Sequence, residues 1–314
     1  MSRALLDVYR GRALILLLVL SPALPELLTG STPPSQFILP HILLVLIVIY
    51  GFPAVLVRDY LHRLGSCKYT DLLKLGLALG VLVEGLAVNT YYTTDPETVD
   101  IFAEYGRILG VNISWVLYIT IFHSIYSLTI PVKIVDLLHP ELNGVELVES
   151  SRKKKLMLLA VVLVVILFNT SGEVYKPPPY YYVLSLTLIV LIIKLHRLEK
   201  RLLPARLYFP RRLLILYPLV LVVFAFFTLP RIAPPALHLG IGILLYVLLY
   251  NTLQRAIKPE EEWVVARNLL LGMCITALVV AVLTEQYSLL LPALLFSLIV
   301  VVISRRMERY RVKH

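Results

Sequence analysis

The sequence predicts an all-α, polytopic transmembrane helical bundle of about ten helices with both termini cytoplasmic. Three observations predict it. First, 59% of the 314 residues are hydrophobic and only 16% are charged, against about 25% charged in a soluble chain. Second, the apolar stretches approach the ~20 residues needed to cross ~30 Å of hydrocarbon. Third, the charge between them alternates. Of the 30 Lys and Arg residues, only Arg107, Lys176 and Arg231 fall outside the termini and every second loop. Basic loops resist translocation, so that alternation orients the chain.

The first span covers about 13–29 and the second about 37–57, joined by an uncharged turn, Thr29 to Ser35. The third covers about 71–90 and precedes an acidic outer loop with Asp95, Glu97, Asp100 and Glu104. The fourth runs about 111–135 and the fifth, the shortest, about 155–170, behind Arg152 to Lys155. The sixth covers about 180–196, after Pro177-Pro178-Pro179 and three tyrosines that look like an interface belt, as do Tyr91 and Tyr92. The most basic loop, Lys194 to Arg212, leads to spans at about 213–229, 236–253, 264–284 and 287–304. Residues 1–314 read as a single integral membrane domain, since no polar stretch is long enough for a soluble domain of ~100 residues.

A net charge of +10 is accounted for by the inner loops, which sit well against anionic lipid heads. The expected partner is the lipid bilayer of the cell membrane, not nucleic acid. A cytoplasmic or membrane protein partner is compatible with the basic face. Arg58-Asp59 read as a solvated cap. Cys67 and Cys274 are placed too differently to form a disulfide. No cysteine spacing suggests a metal, and no cofactor is expected. A haem between His41 and His123 would need a common depth, and their estimated depths differ by ~10 Å.

Ionisable groups within lipid are expensive and ask for a reason. They gather in the first four spans: Glu26 after Pro25, His41, Glu84 and His123. At 1.5 Å per residue Glu84 lies ~9 Å deep and His123 ~16 Å deep. Gly76, Gly80 and Glu84 share one helix face, where small residues admit a neighbouring backbone. Asn112, Thr120, His123, Ser124 and Ser127 form a second polar stripe. Glu84 and His123 are candidate acid–base residues, because a buried carboxyl beside an imidazole can orient and deprotonate water. Glu26, Asn89 and Ser127 are candidate ligand-binding residues. Pro22 and Pro25 also free backbone carbonyls in the first span. His238 reads as an interface residue.

Glu84-Gly-Leu followed by Phe122-His123 resembles the glutamate intramembrane proteases of the CAAX-processing and bacteriocin-processing group. That resemblance implies a hydrolase with Glu84 as base and His123 as partner. Val83 stands where that group has a second glutamate, and Ile119 stands where it has phenylalanine. The segments Pro25-Glu-Leu-Leu-Thr-Gly-Ser-Thr-Pro-Pro34 and Tyr50-Gly-Phe-Pro-Ala-Val-Leu-Val-Arg-Asp59 resemble an uncharacterised prokaryotic multi-pass family, which implies no activity. Three functions follow: a structural or accessory membrane protein whose polar residues specify packing; a protease-like hydrolase; or a transporter or binder of a small molecule or ion.

Overall fold

The computed structural model describes residues 3–65, 67–172, 174–196, 207–256 and 258–313. Most of the expected basic loop, residues 197–206, lies outside the described residues. Among the described residues, ten continuous helical runs carry the fold. They are α1 (Arg3–Thr29), α2 (Pro40–Arg63), α3 (69–87), α4 (Ile113–Leu138), α5 (Ser151–Ser171), α6 (Pro179–Leu195), α7 (211–232), α8 (Pro235–Leu253), α9 (Pro259–Leu283) and α10 (Leu290–Lys313). Seven helices, α1, α2, α4, α5, α8, α9 and the region of α10, are long and apolar enough to cross a membrane. The protein is an all-α polytopic membrane bundle. Its only sheet among the described residues is a two-residue antiparallel hairpin, Arg107–Ile108 with Val111–Asn112, in the loop before α4.

Contacts between helix ends show that successive helices run up and down. At one end, Arg10 of α1 meets Glu149, Arg58 of α2 meets Asp136 of α4, and Tyr69 of α3 meets the Glu262 carbonyl of α9. Arg211 of α7 meets Glu261 of α9 at the same end. At the other, Asn89 meets Asn169 of α5, Tyr92 meets the Tyr181 carbonyl of α6, and Tyr105 meets the Ala233 carbonyl before α8. The loops expected on one side therefore converge in space. We call the two ends basic and acidic after their loops.

Helices α3 and α4 pack as the glycine stripe requires. A methyl group on Gly76 would stand 2.6 Å from Ser124 Cα, and one on Gly80 would stand 2.9 Å from Thr120 Cα. Only hydrogen fits there. Helix α5 is different: Val161 is its one buried residue among those described. One face, with Met157, Ala160, Val164, Val165 and Phe168, packs half-buried on the core, and the rest of its surface is exposed and apolar, as a lipid-facing helix requires.

Among the described residues, four π-helical turns interrupt the helices: Ile47–Gly51 in α2, Val81–Ala87 in α3, Ser124–Thr129 in α4 and Val220–Thr228 in α7. Three of them end two residues before a proline, Pro53, Pro131 and Pro230. Proline lacks the N–H and its ring clashes with the carbonyl four residues back, which pushes the preceding turn wider. The freed Ser127 carbonyl accepts from Ser21 Oγ at 2.5 Å. Hydroxyls fill two of the widened turns: Thr129 Oγ1 donates to the Ser124 carbonyl at 2.7 Å and Thr228 Oγ1 to the Val223 carbonyl at 2.9 Å.

Several expected surface residues are buried. Arg58 and Asp59 are both 0% exposed rather than solvated. The 139–148 segment folds over them: Asp59 accepts from the Leu147 and Val148 amides at 2.7 and 2.9 Å, and Arg58 donates to Asp136 at 2.8 Å. Tyr91, Tyr92 and Tyr181 are buried rather than forming a belt, with Tyr92 stacked on Tyr181 at 4.5 Å; Tyr180 alone of these is largely exposed. His238 is buried too, stacked on Tyr118 at 4.3 Å.

Candidate functional site

Near the acidic end, a cavity of about 440 Å³ opens between α1, α2, α3, α4, α7 and α9. Its polar floor comes from α1 to α4, with Glu26, Tyr50, Glu84 and His123 all lining it. The α7 and α9 walls are mainly apolar, including Val222, Phe226, Met273 and Val280. The two acids and the imidazole thus come from the first four helices, while α7 and α9 add no acid or imidazole among the described lining residues, only Thr276 beside their apolar side chains.

The floor is built from two tethered pairs. In the first, Glu26 Oε1 accepts from the Tyr50 hydroxyl at 2.7 Å and Glu26 Oε2 from Thr32 Oγ1 at 2.6 Å. In the second, His123 Nε2 lies 2.8 Å from Glu84 Oε1, while Thr90 Oγ1 donates to Glu84 Oε2. Trp115 Nε1 then donates to Thr90 Oγ1 at 2.8 Å. The Tyr50 and His123 rings, 5.6 Å apart and tilted by 32°, join the pairs. Below the imidazole, Nδ1 meets Ser127 Oγ at 2.8 Å.

Local backbone geometry explains the meeting of Glu84 and His123. Side chains on a helix lean toward its N-terminus. Helices α3 and α4 are antiparallel, so Glu84 leans toward the basic end and His123 toward the acidic end. The two close a gap that their backbone levels alone would leave. Each also sits in or beside a π turn, as do Tyr50 and the α7 wall residues Val222 and Phe226. Three of the π turns therefore supply lining residues to one cavity, and the fourth begins directly after His123. Sequence reading had missed them, although Pro53, Pro131 and Pro230 mark three of the four.

Residues expected at the site divide into three groups. Glu26, Glu84 and His123 line the cavity together. Ser127 is fully buried one layer beneath, as the partner of His123 Nδ1. Asn89 lies elsewhere: its amide donates to Asn169 Oδ1 at 2.7 Å and to the Tyr175 carbonyl at 2.8 Å, tying α5 to the end of α3. With φ of 57°, Asn89 takes the left-handed conformation that ends α3. His41 is exposed at the start of α2 and does not line the cavity.

The basic end holds a different cluster. Asp136 Oδ1 accepts from Arg58 Nε at 2.8 Å, and both Asp136 oxygens lie 3.1 Å from His62 Nε2. Lys133 Nζ donates to Glu262 Oε1 at 2.7 Å. Cys67 is a free thiol beside this cluster, and burial pushes its pKa up. Donor atoms of His62, Cys67 and Asp136 lie within 4.8 Å of one another, close enough to consider a metal. The imidazole does not fit one. The Gly144 amide donates to His62 Nδ1 at 3.0 Å, which assigns the ring proton to Nε2, the atom a metal would need. The group is a hydrogen-bonded anchor centred on Asp136.

Residues 15–307 match the family model described as "Uncharacterized membrane protein family". The chain belongs to that family. No curated protein and no solved structure matches the chain. Membership agrees with the expected multi-pass family, and these comparisons lend nothing to the glutamate-protease resemblance. Family membership assigns no chemistry.

Proposed function

We propose that this membrane protein binds, and moves or senses, a small amphiphile carrying a cationic or hydrogen-bond-donating head. The observation that carries the reading is the composition of the cavity. Two carboxyls, an imidazole and a tyrosine line its floor, its walls are largely apolar, and no Lys or Arg is among its described lining residues. A volume of about 440 Å³ falls in the usual range for small-molecule sites. Glu26 accepts from two hydroxyls, and Glu84 accepts from one hydroxyl and lies beside the His123 imidazole, so neither carboxyl is paired with a Lys or Arg among the described residues. An ammonium head on an alkyl chain satisfies both surfaces. Helix α1 runs unbroken through Pro22 and Pro25, so the two prolines give a transport role no interrupted helix. By the positive-inside rule the basic end faces the cytoplasm of a cell membrane.

Trp115 lines the cavity and is one of only two tryptophans, the other being Trp263. A Trp263→Phe background makes its fluorescence a reporter. In nanodiscs of zwitterionic lipid, octylamine should shift that emission saturably and octanoate should not. Glu26→Gln should weaken the octylamine response about tenfold, or ~1.4 kcal/mol. Equal responses to amine and carboxylate would overturn the reading.

A second reading, a hydrolase with Glu84 as base, is favoured by the 2.8 Å contact between Glu84 and His123. It is weaker, because both Glu84 oxygens already accept from protein donors. Peptide cleavage abolished by Glu84→Gln but retained in Glu26→Gln would favour it over binding. The structural or accessory reading calls for a filled interior, and the cavity argues against it.

A further inference from the structure

A separate cavity of about 380 Å³ lies at the basic end, lined by Tyr208, Pro210, Arg211, Arg212, Thr252 and Arg255. Three guanidinium groups thus share one small space between the start of α7 and the end of α8. Arg211 is committed: it donates to Glu261 Oε1 at 2.6 Å and to the Arg255 carbonyl. Arg212 and Arg255 have no carboxylate partner among the described residues. Arg255 instead lies over the Tyr208 ring, 3.7 Å from its centroid, which orders the guanidinium while leaving its charge uncancelled. Arg212 is exposed beside it.

We propose that this cavity holds the phosphate of an anionic phospholipid headgroup. Guanidinium forks match phosphoryl oxygens in two-point hydrogen bonds, which an ammonium cannot do. The surroundings select a lipid over free phosphate. Leu207, Leu213 and Leu216 are 49%, 46% and 46% exposed around the same helix start. They give acyl chains an apolar shelf directly beside the charges. The place also fits: this is the end at which the basic loops converge, where leaflets rich in acidic lipid concentrate such contacts. Bound there, the lipid would bridge α7 and α8, which begin and end at this cavity. The site is independent of the acidic-end cavity and of what that cavity binds.

The test uses the full chain in a neutral maltoside detergent, titrated with dioctanoyl phosphatidylglycerol, dioctanoyl phosphatidylcholine or inorganic phosphate, with bound lipid counted by native mass spectrometry. One phosphatidylglycerol should bind at least about tenfold more tightly than phosphatidylcholine. Arg212→Gln with Arg255→Gln should remove that preference, and Arg212→Gln alone, at an exposed position, should weaken it with the fold intact. A control with Arg152→Gln and Lys153→Gln, exposed cations at the start of α5, should keep it. Equal binding of the two lipids, or a preference that survives the double substitution, would overturn the proposal. Displacement of phosphatidylglycerol by millimolar inorganic phosphate would assign the cavity to free phosphate and also overturn it.

Discussion

The two ends of this bundle bury ionisable groups in opposite ways. At the basic end, Arg58, Asp59, Asp136, Lys133 and Glu262 are matched charge against charge. At the acidic end, Glu26 is held by hydroxyls alone and Glu84 by one hydroxyl and one imidazole. A cavity of about 400 Å³, lined in part by His62, Lys133, Asp136 and Glu262, adjoins the basic cluster, and the cavity of about 440 Å³ adjoins the acidic one. At the basic end the carboxyls are paired with Arg or Lys, whereas at the acidic end they line a cavity without such a partner among the described residues. The contrast teaches that buried charge alone does not mark a functional site. What marks it is a buried carboxyl that has no Lys or Arg partner and borders a cavity.

The comparison breaks most readily at Arg58. Truncating one partner of a buried ion pair strands the other, at a cost of about 3–5 kcal/mol. Arg58→Ala should therefore lower the thermal unfolding midpoint in detergent more than any substitution at the cavity. A stable Arg58→Ala protein would mean that the basic cluster is not the anchor.

Helix packing gives the next effect. Gly76→Ala puts a methyl 2.6 Å from Ser124 Cα, and overpacking of this kind costs about 1–3 kcal/mol. If α3 and α4 must touch to bring Glu84 to His123, Gly76→Ala should also weaken octylamine binding without touching the cavity. Unchanged binding in a destabilised Gly76→Ala protein would separate packing from the site.

The smallest effect is expected at Tyr50. Tyr50→Phe removes one hydroxyl from Glu26, and hydrogen bonds between membrane helices average about 0.6 kcal/mol. Stability should barely move, while octylamine affinity should change by a few-fold as Glu26 loses its orientation. A loss of stability as large as that of Arg58→Ala would make Tyr50 a structural residue.

Much of this was legible in the sequence, and the rest has identifiable reasons. The ten helical runs follow from apolar length and loop charge, because both properties are local. The convergence of Glu84 and His123 was readable from Gly76 and Gly80, since a stripe of small residues names the face that meets a neighbour. The burial of Arg58-Asp59 was not readable. A charged pair at a helix end looks like a cap unless one knows that Leu147, Val148 and Asp136, some eighty residues away, return to cover it. The tyrosines and His238 misled for the same reason: an amphipathic ring suits an interface or a buried aromatic stack equally well. Asn89 looked like a ligand residue but serves a helix end. The apolar wall from α7 and α9 carried no signal at all, because Val222 and Met273 are indistinguishable in sequence from lipid-facing residues.

The most direct test compares Glu84→Gln with Asp136→Asn in the same nanodiscs, reading octylamine affinity through Trp115 and stability through the unfolding midpoint. The account predicts that Glu84→Gln loses about tenfold in affinity, ~1.4 kcal/mol, and melts close to the parent, while Asp136→Asn melts early and keeps its affinity near the parent value below its midpoint. Glu84→Gln melting as early as Asp136→Asn, with octylamine bound as tightly as before, would contradict it.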